Sequence, residues 1–288
     1  GRRAAGGWGW WRPPAANGAP VRCGGCRPSG SPLWAILLVG LGGGLLGGTG
    51  AYFGARRSAR SLRQSAEEAL KHERTRLLNE RFSTAAELLG HGEAACRLAG
   101  VHAMAGLADD WTERRQTCIG VLCAYLRMPY PPKPDETAPS EQHLAWQANR
   151  EIRHTVIRTI RDHLTSSLTP PEASWNKYHL DLTGTVFDGG DFTGAKFSGG
   201  TLSFARAQFA GGEVKFRDAE FSGGEVKFRD AEFSGGEVNF DAAKFSGGEV
   251  NFRGAHWTTP PTFDNGVLAA PPAGLLPPRP QGDPDTTA

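Results

Sequence analysis

Residues 222–233 read Ser-Gly-Gly-Glu-Val-Lys-Phe-Arg-Asp-Ala-Glu-Phe, and variants of this twelve-residue unit recur along the chain from about 182 to 257. After three Phe at steps of five, the aromatic residues alternate between steps of five and seven, and Ala or Val stands two residues before most of them. In an extended segment this alternation places the apolar side chains on one face and the charged ones on the other. A helix fits badly, because each Gly-Gly pair would destabilise it by about 2 kcal/mol. The pattern predicts short, stacked β-segments.

A core ladder follows from this stacking. Each segment is too short to bury its own apolar face, whereas successive coils bury a continuous core. We expect the Gly-Gly pairs at turns that need positive φ. The coil length stays open between 24 residues with four apolar centres, about three and a half coils in all, and a flatter coil of twelve. The predicted ladder consists of Phe187, Phe192, Phe197, Phe204, Phe209, Phe216, Phe221, Phe228, Phe233, Phe240, Phe245, Phe252 and Trp257.

The start of the repeat resembles a known family. Residues 182–197 read Leu-Thr-Gly-Thr-Val-Phe-Asp-Gly-Gly-Asp-Phe-Thr-Gly-Ala-Lys-Phe, which is similar to the pentapeptide-repeat proteins with their A-(D/N)-L-x-x unit. The resemblance implies a right-handed quadrilateral β-helix with four pentapeptides per coil. The Gly-Gly insertion that lengthens alternate units to seven residues departs from the family pattern. Four upstream stretches resemble the helical part of membrane-anchored members from actinomycete bacteria: 79–86, 107–111, 115–118 and 152–157.

An uncharged run of 21 residues, 33–53, precedes the charged body of the chain. As a helix it would extend about 31 Å, enough for a hydrocarbon core of about 30 Å. We therefore predict one transmembrane helix and a single-pass protein of the plasma membrane. A signal peptide would have a shorter apolar run and fewer residues before it. A GxGxxG match within the run lacks the second strand that a dinucleotide fold requires. Glycines with GxxxG spacing predict self-association of this helix: Gly40, Gly44, Gly47 and Gly48.

The charges that flank this run predict its orientation. Arg56, Arg57, Arg60 and Arg63 follow it closely, whereas fewer Arg residues lie equally near on the N-terminal side. The positive-inside tendency places the C-terminal body in the cytoplasm. Residues 1–32 carry five Arg and no acid, and they read as a basic disordered leader. Their lone Cys-Gly-Gly-Cys lacks the further ligands that a structural zinc site needs.

Residues 54–174 predict a small all-α domain, because apolar residues recur there at steps of three and four. Small residues on its second and third helices allow close packing, as in HEAT units. Asp109 or Asp110 is expected to cap the third helix. A Pro-rich loop covers 129–140, and a last helix runs from about Gln142 to Leu164. The β-helix is expected at 175–257. A Pro-rich disordered tail is expected at 258–288, after a short cap near Trp257 and Phe263.

The fold class is thus an α-domain followed by a β-solenoid, and the function that fits it is non-catalytic. A net charge of +2 excludes a strongly basic nucleic-acid binder. The chain lacks a nucleophile elbow, a P-loop and an HExxH motif. His154 and His163 are nine residues apart, which does not suit a helical metal site, and both are read as structural. We predict no catalytic, cofactor-binding or metal-binding residues and no cofactor.

The prediction is therefore a membrane-tethered protein-interaction or scaffolding module on the cytoplasmic face, with an unidentified protein partner. The alternative, implied by the family resemblance, is a DNA-mimicking binder of a topoisomerase such as gyrase. That role needs a strongly acidic rod, whereas residues 181–257 carry twelve acidic and eight basic side chains.

Overall fold

The computed structural model describes residues 33–165, 167–264 and 266–277, with side chains from Arg60 onward. The chain divides into two compact units, Gly1–Glu68 and Ala69–Ala288. Four α-helices come first: α1 (Leu33–Leu89), α2 (Ala94–Asp110), α3 (Arg115–Arg127) and α4 (Ser140–Leu164), with a 3₁₀ turn (Thr112–Arg114) before α3. A β-solenoid of about four turns follows them.

The predicted transmembrane helix falls at the start of α1. The helical backbone runs past residue 53 without interruption to Leu89, and Gly90 follows it. The residues that the structure describes include no helix long and apolar enough to cross a membrane. The structure describes the backbone of 33–53, which includes the GxxxG glycines, but not its side chains. The leader 1–32, with its two cysteines, lies outside the described residues. The membrane span and the helix self-association therefore stay predictions.

The helices of the second unit share one apolar core. The buried side chains come from the end of α1 and from α2, α3 and α4: Leu78, Ala85, Leu89, Val101, Met104, Leu107, Ile119, Leu122, Leu126, Ile152, Val156 and Ile160. The expected capping by Asp109 or Asp110 is wrong. Both residues belong to α2, which ends at Asp110. The N–H of the next residue, Trp111, still donates to the Leu107 carbonyl at 2.9 Å. Their carboxylates instead pair with side chains on other helices, His163 for Asp109 and Arg81 for Asp110.

In the described residues, thirteen short strands build the solenoid. They are β1 (Leu180–Asp181), β2 (Val186–Phe187), β3 (Gly190–Asp191), β4 (Lys196–Ser203), β5 (Gln208–Phe209), β6 (Glu213–Lys215), β7 (Glu220–Lys227), β8 (Glu232–Phe233), β9 (Glu237–Phe240), β10 (Lys244–Asn251), β11 (His256–Trp257), β12 (Thr262–Phe263) and β13 (Leu275–Leu276). All their pairings are parallel, within three sheets ordered β1-β4-β7-β10-β13, β2-β5-β8-β11 and β3-β6-β9-β12.

Strand register decides between the two coil lengths. Phe197 pairs with Phe221, and Phe221 pairs with Phe245, so these coils take 24 residues. The first coil is shorter, because Phe187 pairs with Phe209, 22 residues later. A coil of twelve residues is therefore excluded. β4, β7 and β10 each contain a Gly-Gly pair and span two sides of the coil, which explains why four apolar centres per coil produce only three sheets.

The solenoid extends past the expected boundary at 257. β12 pairs with β9, and β13 pairs with β10, so residues placed in the disordered tail continue the coil. Apolar burial explains this extension. The Phe263 ring stacks on Phe240 with 4.9 Å between ring centroids, and Leu275 is buried beside Val250.

Candidate interaction surface

Four columns of stacked rings fill the solenoid. Each column takes one Phe from each of three or four successive coils, and neighbouring centroids within a column lie 4.6–5.1 Å apart. This distance matches the spacing of hydrogen-bonded strands. In chain order, face 1 holds Phe204, Phe228 and Phe252; face 2 holds Phe187, Phe209 and Phe233; face 3 holds Phe192, Phe216, Phe240 and Phe263; and face 4 holds Phe197, Phe221 and Phe245.

The predicted ladder residues point into this core. All are buried except Phe245 and Trp257, which are half-buried near the C-terminal end. Rings from faces 1 and 3 meet edge to face across the centre, as Phe204 and Phe216 do at 5.6 Å. Because aromatic carbon fills the interior, the chemistry available to a partner lies on the outward side chains and at the corners.

Two of the four corners of each coil are tight turns. They join face 1 to face 2 and face 3 to face 4, and in each an Ala N–H donates to a Phe carbonyl three residues earlier at 3.0–3.1 Å in the later coils. When a turn with this hydrogen bond is of type II, its third residue has positive φ. Arg206, Asp218, Asp230 and Ala242 adopt φ of 55–56° there, although none is Gly. Sequence reasoning missed these positions. The available signal was that Gly194 and Gly254 occupy the equivalent place.

The other two corners carry the Gly-Gly pairs, where stacking explains the need for glycine. A Cβ built on Gly223 would lie 2.6 Å from the Ser198 carbonyl oxygen of the coil below. A Cβ on Gly224, whose φ is +72°, would lie 2.5 Å from the Gly200 carbonyl oxygen. Any side chain at these two positions would therefore push successive coils apart.

The flat faces carry charges of both signs. Lys196 lies 3.4 Å from Glu220 on the next coil, and Glu225 lies 2.8 Å from Lys227 within one coil. These side chains are more than one third exposed, so each pair contributes little to stability. The faces therefore offer a repeated, mixed-charge polar surface rather than a uniformly acidic one.

A polar cluster around Asp188 joins the helices to the first coil. The Asp188 carboxylate accepts hydrogen bonds from the Tyr130 hydroxyl at 2.7 Å and from Arg150 Nε at 2.9 Å, and His154 Nε2 lies 3.0 Å away. Burial raises the pKa of Asp188, but the hydrogen bonds from His154 and Tyr130 and the charge of Arg150 outweigh it, so the pKa is lowered. Arg153 adds a 2.8 Å bond to the Val186 carbonyl. These contacts hold the start of the solenoid against α4 and the loop before it.

A second junction lies at His163, near the end of α4. Its ring stacks on Trp175 at 4.0 Å; Nδ1 lies 2.7 Å from the Thr159 carbonyl oxygen, and Nε2 lies 3.2 Å from Asp109 Oδ2. Both neighbours accept hydrogen bonds, so the doubly protonated ring satisfies both. Burial lowers the pKa of His163, but the hydrogen bonds to Asp109 and Thr159 outweigh burial and raise it. Both histidines thus lie in structural contacts.

The described residues contain no cluster of metal ligands, and the two cysteines of α3 are buried. No group of three or more His, Cys, Asp and Glu side chains able to hold a metal ion occurs among the described residues. Cys118 and Cys123 are buried free thiols in α3, and burial raises the pKa of Cys123 to about 12. A thiol with so high a pKa is a poor nucleophile.

Comparison with known proteins agrees with the repeat. Residues 182–231 match the family profile described as Pentapeptide repeats (9 copies). This segment is similar to pentapeptide repeats, with alternate units lengthened to seven residues by the Gly-Gly insertion. Folds of this kind are typical of protein-interaction modules and are generally non-catalytic. Neither the curated proteins nor the solved structures include a match to the chain. The likeness of the helical region to actinomycete membrane-anchored members therefore stays a prediction.

Proposed function

We propose that the chain is a non-catalytic protein-interaction or scaffolding module. The observation that carries the proposal is the construction of the solenoid. Phe columns fill its interior, and every coil presents outward polar side chains at repeated positions. A surface that repeats every coil suits a partner with its own extended or repeated surface. The stacked columns keep that surface rigid, so binding orders few additional groups.

The test is crosslinking of the full chain in native membranes, followed by mass spectrometry of crosslinked peptides. We expect one protein to crosslink reproducibly to peptides from the solenoid. Reversing two exposed or half-exposed charges on face 3, Glu213→Lys and Glu237→Lys, should reduce a crosslink made through that face. The matched control reverses Glu220 and Lys244 on face 4. Absence of any protein crosslinked to the solenoid, with both variants folded as judged by circular dichroism, would contradict the proposal.

We also propose that residues 33–53 tether this module to the plasma membrane, with the C-terminal body in the cytoplasm. Support comes from the uncharged length of this run and from the Arg residues that follow it. The full chain should resist extraction by carbonate, whereas a chain without 33–53 should be released. Protease added to spheroplasts should leave the solenoid intact, and added to inside-out vesicles it should degrade it. Release of the full chain by carbonate would refute the span.

The alternative role, DNA mimicry toward a topoisomerase, receives less support. Acidic side chains of the solenoid pair with neighbouring Lys residues, as at Glu213–Lys215 and Lys196–Glu220, which interrupts any continuous acidic strip. A gyrase supercoiling assay with the full chain decides it. We expect no inhibition, and inhibition at stoichiometric concentration would favour the alternative.

A further inference from the structure

The two tight-turn corners of the solenoid differ in charge. The corner between faces 1 and 2 carries Arg206, Arg229 and Arg253, here named the Arg edge. The corner between faces 3 and 4 carries three acids, Asp218, Asp241 and Asp264, here named the Asp edge. A Gly-Gly corner separates the two edges on either side, so they lie at opposite corners of the coil.

Each edge is a ladder with one rung in each of three successive coils. The Arg206 N–H donates to the Arg229 carbonyl at 2.9 Å, and the Asp218 N–H donates to the Asp241 carbonyl at 3.0 Å, so the turns of successive coils stack. In each edge the first charged residue is the third residue of its turn and the other two are second residues, so the two edges share the same one-residue offset. The side chains face outward, because Arg229 is 68% exposed and Asp218 is 61% exposed. Arg206, Arg253 and Asp264 are also exposed, and Asp241 is half-buried. Both ladders therefore repeat at the separation of the coils.

Neighbouring side chains of opposite sign lower the net charge of each edge without neutralising it. On the Arg edge Asp230 lies 3.4 Å from Arg229, and on the Asp edge Arg217 lies 3.8 Å from Asp218. Three Arg with one Asp leave a charge of +2, and three Asp with one Arg leave −2. The adjoining faces carry both signs, so this polarity is confined to the two corners.

We propose that the partner of the Arg edge is the Asp edge of a second copy of this chain, which gives side-by-side association of solenoids. This inference rests on the proposed function, for which it names one partner. The two ladders have opposite charge, equal rung number and equal spacing, so three rungs pair in register. Since each chain keeps one edge of each sign, the contact is head-to-tail and continues into rows of copies. Exposed ion pairs are individually weak, so the association is weak and sensitive to salt.

Charge reversal tests the pairing because the chain itself shows which residues each turn tolerates. The first variant carries Arg206→Asp, Arg229→Asp and Arg253→Asp; Asp occupies the equivalent turn positions at 218 and 241. The second variant carries Asp218→Arg and Asp241→Arg, because Arg occupies those turn positions elsewhere. Asp264 is left unchanged, since its Oδ2 accepts a hydrogen bond from the Ala242 N–H at 2.9 Å.

Full-length chains are compared by sedimentation equilibrium in detergent micelles. For the wild type, association should weaken by about tenfold or more between about 0.01 M and 1 M salt, over which the Debye length falls from about 30 Å to 3 Å. Each variant alone has two edges of the same sign and should lose this salt-sensitive association. An equimolar mixture should regain it, because acidic edges then meet basic ones. Association through the N-terminal glycines would not respond to salt or to the reversals.

Three results would overturn the inference. One is a wild type whose association does not depend on salt; another is a variant that associates as the wild type does; the third is a mixture that stays dissociated while circular dichroism shows both variants folded. Crosslinking in native membranes separates this failure from failure of the proposed function. If the solenoid crosslinks to a different protein and not to itself, the edge pairing is wrong and the interaction function stands.

Discussion

The Gly-Gly corners allow a matched test of coil stacking. Gly199 and Gly223 are the first glycines of equivalent corners one coil apart, and neither has a positive φ. A Cβ on Gly199 would find its nearest atoms at 3.6 Å, which is ordinary contact. The same atom on Gly223 would lie 2.6 Å from the Ser198 carbonyl oxygen, about 0.8 Å short of the 3.4 Å at which ordinary contact begins.

The magnitude follows from two effects. Replacing Gly by Ala reduces the conformational entropy of the unfolded chain and stabilises both variants by about 0.4–1 kcal/mol. Overpacking against a hydrogen-bonded backbone costs about 1–3 kcal/mol, and only Gly223→Ala incurs it. The free energy of unfolding should therefore differ by about 1–3 kcal/mol between the variants, with Gly199→Ala slightly above the wild type. Gly224→Ala should lose about 1–2 kcal/mol more than Gly223→Ala because its φ is positive.

The assay is urea unfolding of the full chain, followed by the far-ultraviolet circular dichroism of the β-structure. The wild type, Gly199→Ala and Gly223→Ala are measured together, and the midpoints are compared at equal slope. Equal midpoints for the two variants would refute the reasoning, because they would show that the coils separate at no cost. A loss of stability in Gly199→Ala would refute it as well.

Three further predictions concern the core, the tight turns and pH. Phe228→Ala should lower the free energy of unfolding by about 3–5 kcal/mol, because Phe228 is fully buried and stacks on rings above and below it; a loss below about 1 kcal/mol in urea unfolding would contradict the column packing. Ala242→Gly should raise the free energy of unfolding by about 0.5–1 kcal/mol, since relief of positive φ exceeds the added flexibility of the unfolded chain; a lower urea midpoint would count against it. The raised pKa of His163 stabilises the fold fully below the ordinary value of 6.5, and this contribution is lost as pH rises through the folded value. Thermal unfolding between pH 5.5 and 8.5 should show that loss in the wild type and a smaller one in Asp109→Asn; identical pH profiles would contradict the pairing.

The repeat was readable from sequence because the information in it is local. A Phe with Ala or Val two residues earlier predicts which side chains face inward, because successive side chains of a strand point to opposite faces. The insertion at each Gly-Gly pair also predicted where the chain turns. Aromatic residues at recurrent steps therefore predicted a solenoid, and residues 182–231 match pentapeptide repeats.

Other features depend on distances that no local pattern contains. Register alone chose the 24-residue coil, because pairing of Phe197 with Phe221 is a contact between coils. The His163–Asp109 pair joins residues 54 apart. The capping expected of Asp109 is wrong because α2 continues through Asp110, so Asp109 lies within α2 and its carboxylate pairs with a side chain of α4. Asp188 sits among side chains of α4 and the loop before it for the same reason.

Local alternation thus determined which residues are inside the solenoid. Only the tertiary structure decided which residues of different coils and helices contact one another. The Arg and Asp edges illustrate the division. Residues of one set lie 23 or 24 positions apart in sequence, and a coil of 24 residues places each set at one corner, in successive coils. Side-chain direction is a property of the neighbouring backbone. Which residues of successive coils lie beside one another depends on the summed length of all strands and turns in a coil. This alignment therefore exists only once the coils have formed.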